Sequence, residues 1–128
     1  MDNTLDKALK EFIKSIDDNT GFEPFAYYDK HLDCIRVQII DCSFKEVRKN
    51  KLITILSSNH TNRSQLAGFN IKGVRYIFES MGMDLAGVHS LVEVIDNMVK
   101  HFPDSAVKHV KDQFRPILKE QNLSVNLG

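Results

Sequence analysis

Two residues of the chain have a spacing that could serve metal chemistry. His89 and Glu93 are four positions apart, which places two side chains on one face of a helix and offers two ligands to a metal ion. A metal site needs three or four ligands, and no other histidine or cysteine has the spacing of a metal-binding motif. The sequence therefore predicts no metal and no cofactor, and His89 is predicted to be a surface histidine.

Cys34 and Cys42 are the two cysteines of the chain. On one straight extended run they would lie about 26 Å apart, so they are not predicted to form a disulfide with each other. If their side of the strand faces solvent, the neighbouring Arg36 would favour a reactive thiolate at Cys34. If it faces the helices, both thiols are small buried groups. A catalytic thiol also needs a base, and the sequence places no histidine beside it, so no catalytic residue is predicted.

An anion could bind where a strand passes into a helix. Lys72 and Gly73 lie at such a junction, and Arg75 follows in the first helical turn. The several glycines and the Lys-Ser/Thr ending of a phosphate-binding loop are absent. These three residues are a weak anion-site candidate, because a single glycine at such a joint usually serves the backbone conformation.

Positive charge is concentrated in the middle of the chain. Between residues 45 and 75 there are seven basic residues and one acid, Glu46. Four of the basic residues form a cluster that we call the basic turn, which comprises Lys45, Arg48, Lys49 and Lys51. A cluster of this kind can neutralise phosphates, which makes nucleic acid one alternative partner. The net charge of zero and the scarcity of aromatic residues in the block favour other partners.

Negative charge follows directly along the chain. Residues 77 to 99 contain no Lys or Arg, and their acids, which we call the acidic stretch, are Glu79, Asp84, Glu93 and Asp96. Surfaces of opposite sign give electrostatic complementarity in protein contacts. The two charged segments therefore predict a protein partner, and a second copy of the chain is one such partner.

The elements that must position these residues begin with a predicted helix over residues 4 to 18 and continue as short strands. Apolar residues recur at helical spacing in the first segment, and a period of two marks the most evident strand, from Cys34 to Ile39. Further strands are predicted at 25–28, 52–56 and 69–71, with a short one possible between Phe44 and Val47. The prediction is an antiparallel meander of about four strands.

The remainder of the chain is predicted to be three helices. A short helix ends at Gly82, and a long one is predicted from Asp84 to Phe102 because apolar residues form a broad stripe there. A third helix begins near Asp104, and Pro116 is expected to kink or break it at 112–115. The last residues, from Leu123, are predicted to form a short strand or to fray.

Length and composition indicate one domain of the α+β class. The chain has 128 residues, of which 42% are hydrophobic and 27% charged, as is usual for a globular protein. We divide it into an N-terminal helix and connection (1–22), a β-meander (23–73) and a helical part (74–128) whose helices pack on one face of the sheet. No apolar run is long enough to span a membrane, and the first residues lack a secretory signal, so a cytoplasmic protein is predicted.

The order of features between Tyr28 and Gly73 resembles a small bacterial domain family of unknown function. The shared features are a Tyr-Asp pair, a second Asp, an alternating strand, a Glu-containing turn and a closing strand. In this sequence they are Tyr28-Asp29, Asp33, Ile35, Val37, Ser43, Glu46 and Gly68-Phe69-Asn70-Ile71. The resemblance implies a compact bacterial meander and assigns no catalytic residue.

The function predicted from the sequence is a non-catalytic regulatory or adaptor domain that binds protein and forms a homodimer. Its binding surfaces are the basic turn and the acidic stretch. One alternative is an enzyme or a small-ligand protein with a pocket between the sheet and the long helix, where Tyr28, Asp33, His89 or Glu93 would converge. The other alternative is nucleic-acid binding through the basic turn.

Overall fold

The computed structural model describes residues 22–58 and 66–128. Five strands come first, then three helices and two short strands. The strands are β1 (Phe25–Asp29), β2 (Cys34–Gln38), β3 (Phe44–Arg48), β4 (Ile53–Ser58) and β5 (Leu66–Lys72). They are followed by α1 (Val74–Met81), β6 (Val88–Ser90), α2 (Leu91–His101), α3 (Ser105–Glu120) and β7 (Ser124–Asn126).

The five strands form one antiparallel sheet in the order β1-β2-β5-β4-β3, and β6 pairs with β7 in a separate two-stranded sheet. β5, the last strand of this sheet in sequence, lies in the middle, with Phe69 opposite Val37 on one side and Ile55 on the other. β1-β2 is a hairpin, and β3-β4-β5 is a small meander that joins β2 through its last strand. The two units close one sheet because β5 pairs with both β2 and β4.

One face of the sheet packs on the helices. Alternate residues of β2, β4 and β5 point to this face, and they are fully buried because their hydrophobic side chains meet those of the helices. At the centre of the core, the rings of Phe69 on β5 and Phe114 on α3 have centroids 4.8 Å apart. The opposite face carries polar side chains, among them Arg36, Gln38 and Asn70.

Gly68 allows β5 to approach β2 more closely than any other residue would. A Cβ atom at this position would lie 2.0 Å from the backbone oxygen of Val37. That distance is far inside van der Waals contact, and a backbone atom cannot turn away as a side chain can. Gly68 is therefore required for the pairing of the two strands at this point.

Gly73 is the N-cap of α1 and Gly82 is its C-cap. Both glycines have the left-handed backbone conformation, with φ of 74° and 68°. The backbone oxygen of Asp33, in the β1-β2 turn, accepts hydrogen bonds from Gly73 N (3.0 Å) and Val74 N (3.2 Å). This contact ties the start of α1 to the hairpin. The predicted end of this helix at Gly82 is confirmed.

The predicted long helix from Asp84 was wrong, because α2 begins only at Leu91. Gly87, with φ of 79°, turns the chain, and Val88 to Ser90 pair with β7 instead of continuing a helix. The Ser90 side chain then accepts a hydrogen bond from Glu93 N (3.5 Å) as the N-cap of α2. Of the two alternatives for the residues from Leu123, the short strand is the one observed, as β7.

The predicted break at Pro116 was also wrong, because α3 runs without interruption from Ser105 to Glu120. Pro116 is exposed, and so is Asp112, whose carbonyl lacks the hydrogen bond that an amide at position 116 would have donated. Buried Phe114 and Leu118 hold the helix against the core on both sides of the proline. Core packing therefore outweighs the loss of one hydrogen bond at the surface.

The α+β class is correct, but the architecture predicted from the sequence was wrong. The sheet has five strands with β5 at its centre, where about four strands in a simple meander were predicted. The predicted helix over residues 4 to 18 lies outside the described residues, and the first element of the described chain is a strand. Within residues 22–58 and 66–128, no helix has the length and apolar character needed to span a membrane.

We predict that Gly68→Ala destabilises the protein by at least about 3 kcal/mol, the upper end of the usual cost of overpacking, because the backbone of β2 must move. Gly82→Ala is the matched control: Gly82 has positive φ but no atom within 4 Å of the added Cβ, and its cost should be about 1 to 2 kcal/mol. Urea denaturation measures both values. Equal losses in the two variants would contradict the close approach at Gly68.

Candidate functional site

The turn between β3 and β4 has a fixed backbone. The side-chain oxygen of Asn50 accepts hydrogen bonds from Leu52 N (2.8 Å) and Ile53 N (2.7 Å), while Lys49 N donates to Ile53 O (3.0 Å). Asparagine commonly closes turns in this way because its short side chain reaches amides two and three residues further on. The positions of Lys49 and Lys51 are therefore set by the turn, although their side chains are exposed.

This turn is joined to the start of α3. Asp104 is the N-cap of the helix, and its Oδ1 accepts a hydrogen bond from Val107 N (2.9 Å). Its other oxygen, Oδ2, accepts a hydrogen bond from Asn50 Nδ2 (2.9 Å). The Asp104 carboxylate thus connects the start of α3 to the β3-β4 turn. It places Lys49 and Lys51 of that turn beside the helix.

A groove of about 310 Å³ lies on one side of this junction. Its apolar wall is formed by Leu52, Tyr76 of α1 and Phe102 at the end of α2, and the rings of Tyr76 and Phe102 are 6.0 Å apart. Asn50, Lys51 and Asp104 form the polar part of the lining. Tyr76 is 62% exposed, a high value for so large an aromatic side chain in a helix. We call this feature the aromatic groove.

A second cavity, of about 290 Å³, also adjoins this junction. It is lined by Lys49, Ser105, Ala106 and His109. Lys49 and Ser105 are the sequence neighbours of Asn50 and Asp104, so this cavity lies next to the Asn50-Asp104 hydrogen bond. The structure therefore combines an apolar cavity with a basic one along a single edge of the molecule.

The residues of the basic turn are exposed and extend along this edge. Lys45 and Arg48 lie on β3, while Lys49 and Lys51 flank the Asn50-Asp104 contact. In the part of the chain that the structure describes, none of the three lysines Lys45, Lys49 and Lys51 forms an ion pair. Their charges are therefore available to a partner.

The acidic stretch does not form one surface. Glu79 on α1, Asp84 in the following loop and Glu93 in the first turn of α2 are exposed. Asp96 instead accepts two hydrogen bonds from the Arg115 guanidinium, at 2.9 and 3.0 Å, with Lys111 Nζ at 3.7 Å. The Arg115 hydrogen bonds lower the pKa of Asp96 despite its partial burial. Asp96 therefore connects α2 to α3, and its charge is already neutralised within the chain.

At the candidate anion site of Lys72, Gly73 and Arg75, the backbone amides of Gly73 and Arg75 are already bound by Asp33. Its two carboxylate oxygens accept from Arg75 N, each at 3.2 Å, and its backbone oxygen accepts from Gly73 N. The Tyr28 hydroxyl also donates to Asp33, at 2.6 Å. Burial, together with this hydrogen bond, raises the pKa of Tyr28. The amides predicted to bind an external anion are thus used to join the hairpin to α1.

Cys34 lies on the face of the sheet opposite the helices, but it is buried. Burial raises the pKa of its thiol and outweighs the opposing effect of Arg36. Arg36 instead donates to Asn70 Oδ1 (3.2 Å) and forms an ion pair with Glu46 (3.0 Å). This environment favours the protonated thiol over the thiolate that a nucleophile requires. Cys34 and Cys42 are both free thiols.

His89 and Glu93, the two residues with the spacing of metal ligands, are not on one helix face, because α2 begins after His89. The His89 ring packs edge-on against Phe78, and its Nε2 lies 3.1 Å from the backbone oxygen of Ala86. Tyr28 and Asp33 are hydrogen-bonded to each other, whereas His89 contacts Phe78 and Ala86. Among the described residues, no three His, Cys, Asp or Glu side chains are arranged to hold a metal ion.

The sequence did not identify the residues that complete this edge. Tyr76 falls outside the apolar face of α1, and this position of a large aromatic residue is its one sequence signal. Phe102 ends the predicted apolar stripe of the long helix and is only half-buried. Asn50, Asp104 and His109 come from distant parts of the chain and are brought together only by the fold.

Comparison with known proteins adds no relative to this description. Neither the protein-family models, nor the curated proteins, nor the solved structures contain a match to the chain.

We predict that Asp96→Asn lowers stability at neutral pH and has a much smaller effect in acid. Because the pKa of Asp96 is lowered in the folded protein, its ion pair stabilises the fold above the unfolded value of 3.8. That contribution is lost as the pH falls through the lowered folded pKa. Urea midpoints of wild type and variant at pH 7 and pH 3 measure the difference. A gap that is as wide at pH 3 as at pH 7 would contradict the assignment.

Proposed function

We propose that this protein is a non-catalytic protein-binding domain, a cytoplasmic regulator or adaptor, whose partner binds along the edge formed by the basic turn and the aromatic groove. The observation that supports this proposal most is the exposure of Tyr76 beside Phe102 and Leu52, in a groove that Lys51 also lines. Aromatic residues in preformed apolar grooves contribute a large share of binding energy at protein interfaces. A partner segment with an apolar side chain and acidic neighbours would complement this edge.

Catalysis has less support than binding. The helix-facing side of the sheet is filled by side chains such as Phe69 and Phe114, and the two largest cavities described above are open grooves at the surface. Ser105 and His109 line the second cavity, but within the described residues no hydrogen bond joins the two side chains. Asp104, the one acid among the described residues that line either cavity, is engaged as a helix cap.

Nucleic acid remains the alternative occupant of the same edge, because Tyr76 supplies the aromatic surface that the basic turn lacks in sequence. Bases stack on exposed aromatic rings beside basic grooves. However, Asp104 lines the groove, Glu79 lies one helical turn from Tyr76, and the chain as a whole has no net charge. These negative groups favour a protein partner, and the experiment below separates the two.

The test uses the protein as an affinity reagent in nuclease-treated native lysate. We expect Tyr76→Ala to weaken binding of the captured partner by about 30-fold, the effect of losing a hot-spot residue worth about 2 kcal/mol. Tyr27→Ala is the matched control, since Tyr27 is also exposed but lies on β1, at the opposite edge of the sheet. Equal binding by wild type and Tyr76→Ala would contradict the proposal.

Charge reversal tests the basic turn separately. Lys49→Glu combined with Lys51→Glu should weaken the same partner and reduce the salt dependence of its binding. Lys30→Glu combined with Lys119→Glu changes the net charge equally at exposed positions elsewhere and should have little effect. A partner that is captured from untreated lysate but not from nuclease-treated lysate would assign the edge to nucleic acid instead.

The homodimer stays a prediction, and the mass in solution tests it. The exposed acids Glu79, Asp84 and Glu93 could meet the basic turn of a second copy. Light scattering at micromolar concentration should then give twice the 14.7 kDa mass of the chain at low salt and a lower mass at high salt. A monomer mass in both conditions would refute the dimer without affecting the binding of a different protein.

A further inference from the structure

The strand β3 has a free edge. It is the last strand in the order β1-β2-β5-β4-β3, and in the described part of the chain no other strand pairs with its outer side. The opposite end of the sheet differs, because β1 lies against β7. An unpaired strand edge presents backbone donors and acceptors to which another chain can add a strand.

The register identifies which backbone groups point outward. Lys49 N donates to Ile53 O, so residues 49, 47 and 45 are the ones that exchange hydrogen bonds with β4. In an antiparallel pair the intervening residues point their N–H and C=O groups away from the partner strand. Phe44, Glu46 and Arg48 therefore present one donor and one acceptor each along the free edge.

The charges on this edge specify the kind of strand that fits it. Lys45 and Arg48 are exposed on β3, while Glu46, its one acid, is paired with Arg36 at 3.0 Å. Cross-strand pairs of opposite charge stabilise a sheet, and like charges placed opposite each other destabilise it. An acidic strand is therefore favoured, and a second copy of β3, which brings the same positive charges, is disfavoured.

We infer that β3 accepts an extended acidic segment of the partner protein as a sixth strand of the sheet. This inference deepens the proposed function and rests on it for the partner being a protein. The free edge leads from Arg48 directly into the turn at Lys49 and Lys51, so a segment that continues past the strand reaches the aromatic groove. Backbone hydrogen bonds would then supply affinity along β3, while an apolar side chain in the groove would supply specificity.

The direct test titrates the protein with a capped synthetic peptide of alternating Glu and Val and follows backbone amide signals by NMR. The amides of Phe44, Glu46 and Arg48 should shift, and a peptide with Lys in place of Glu should shift them much less. Absence of shifts at these three amides at the highest soluble concentration of the Glu peptide would overturn the inference.

A proline variant tests the backbone contact. Glu46→Pro removes an outward N–H without removing a bond to β4, and edge strands tolerate proline at such positions. Glu46→Thr is the matched control, because it removes the same carboxylate and keeps the N–H. The peptide should bind Glu46→Pro about tenfold more weakly than Glu46→Thr. Equal affinities in the two folded variants would overturn the inference.

Modified peptides give a test that does not depend on the folding of a variant. A strand added to β3 uses only alternate amides, so N-methylation of one alternate set in the peptide should abolish binding to the wild type and methylation of the other set should not. Equal effects of both sets would overturn strand addition.

Tyr76→Ala should leave the peptide titration unchanged, since this peptide has no aromatic side chain to anchor in the groove. If the cellular partner is lost in Tyr76→Ala but retained in Glu46→Pro, strand addition fails and the proposed function stands. If the Glu-Val peptide shifts the β3 amides while no protein depends on Tyr76, the proposed function fails separately.

Discussion

The central position of β5 is the constraint on which the rest of the structure depends. β5 is the last strand of the large sheet in sequence, yet it must enter between β2 and β4 and pair with both. Gly68 permits this because it leaves room for the backbone oxygen of Val37. The next residue, Phe69, and Ile71 two positions after it face the helices and form the floor of the core. Without β5 the hairpin and the β3-β4 pair would be separate, and neither would be stable alone.

The candidate binding edge is a consequence of this arrangement. Because β5 passes directly into α1, the helix starts beside the hairpin, where Asp33 binds its first amides. Because β3 is the edge strand of the sheet, the turn after β3 lies at the outside of the sheet. This turn meets the start of α3 through the hydrogen bond between Asn50 and Asp104. The aromatic groove is formed where these elements converge. Its two aromatic residues, Tyr76 and Phe102, are far from the turn in sequence, so the site exists only in the folded chain.

The sequence predicted those features that depend on neighbouring residues. The period of two identified β2, and Gly82 identified the end of α1, because side-chain alternation and positive φ are local properties. The order of strands was predicted incorrectly, because nothing local to Leu66–Lys72 shows that it must lie in the centre. The start of α2 was missed because Val88 to Ser90 pair with a strand more than thirty residues away. The lysines of the site were visible in sequence, whereas Tyr76 and Phe102 became its neighbours only through tertiary packing.

Binding of a protein at the aromatic groove is the central claim, and site-specific cross-linking tests it most directly. A photoreactive p-benzoylphenylalanine in place of Tyr76 would be irradiated in living cells, with the same substitution at Tyr27 as reference. We predict one covalent adduct with another protein from position 76 and none from position 27. The account would be contradicted by an adduct with nucleic acid at position 76, or by no difference between the two positions.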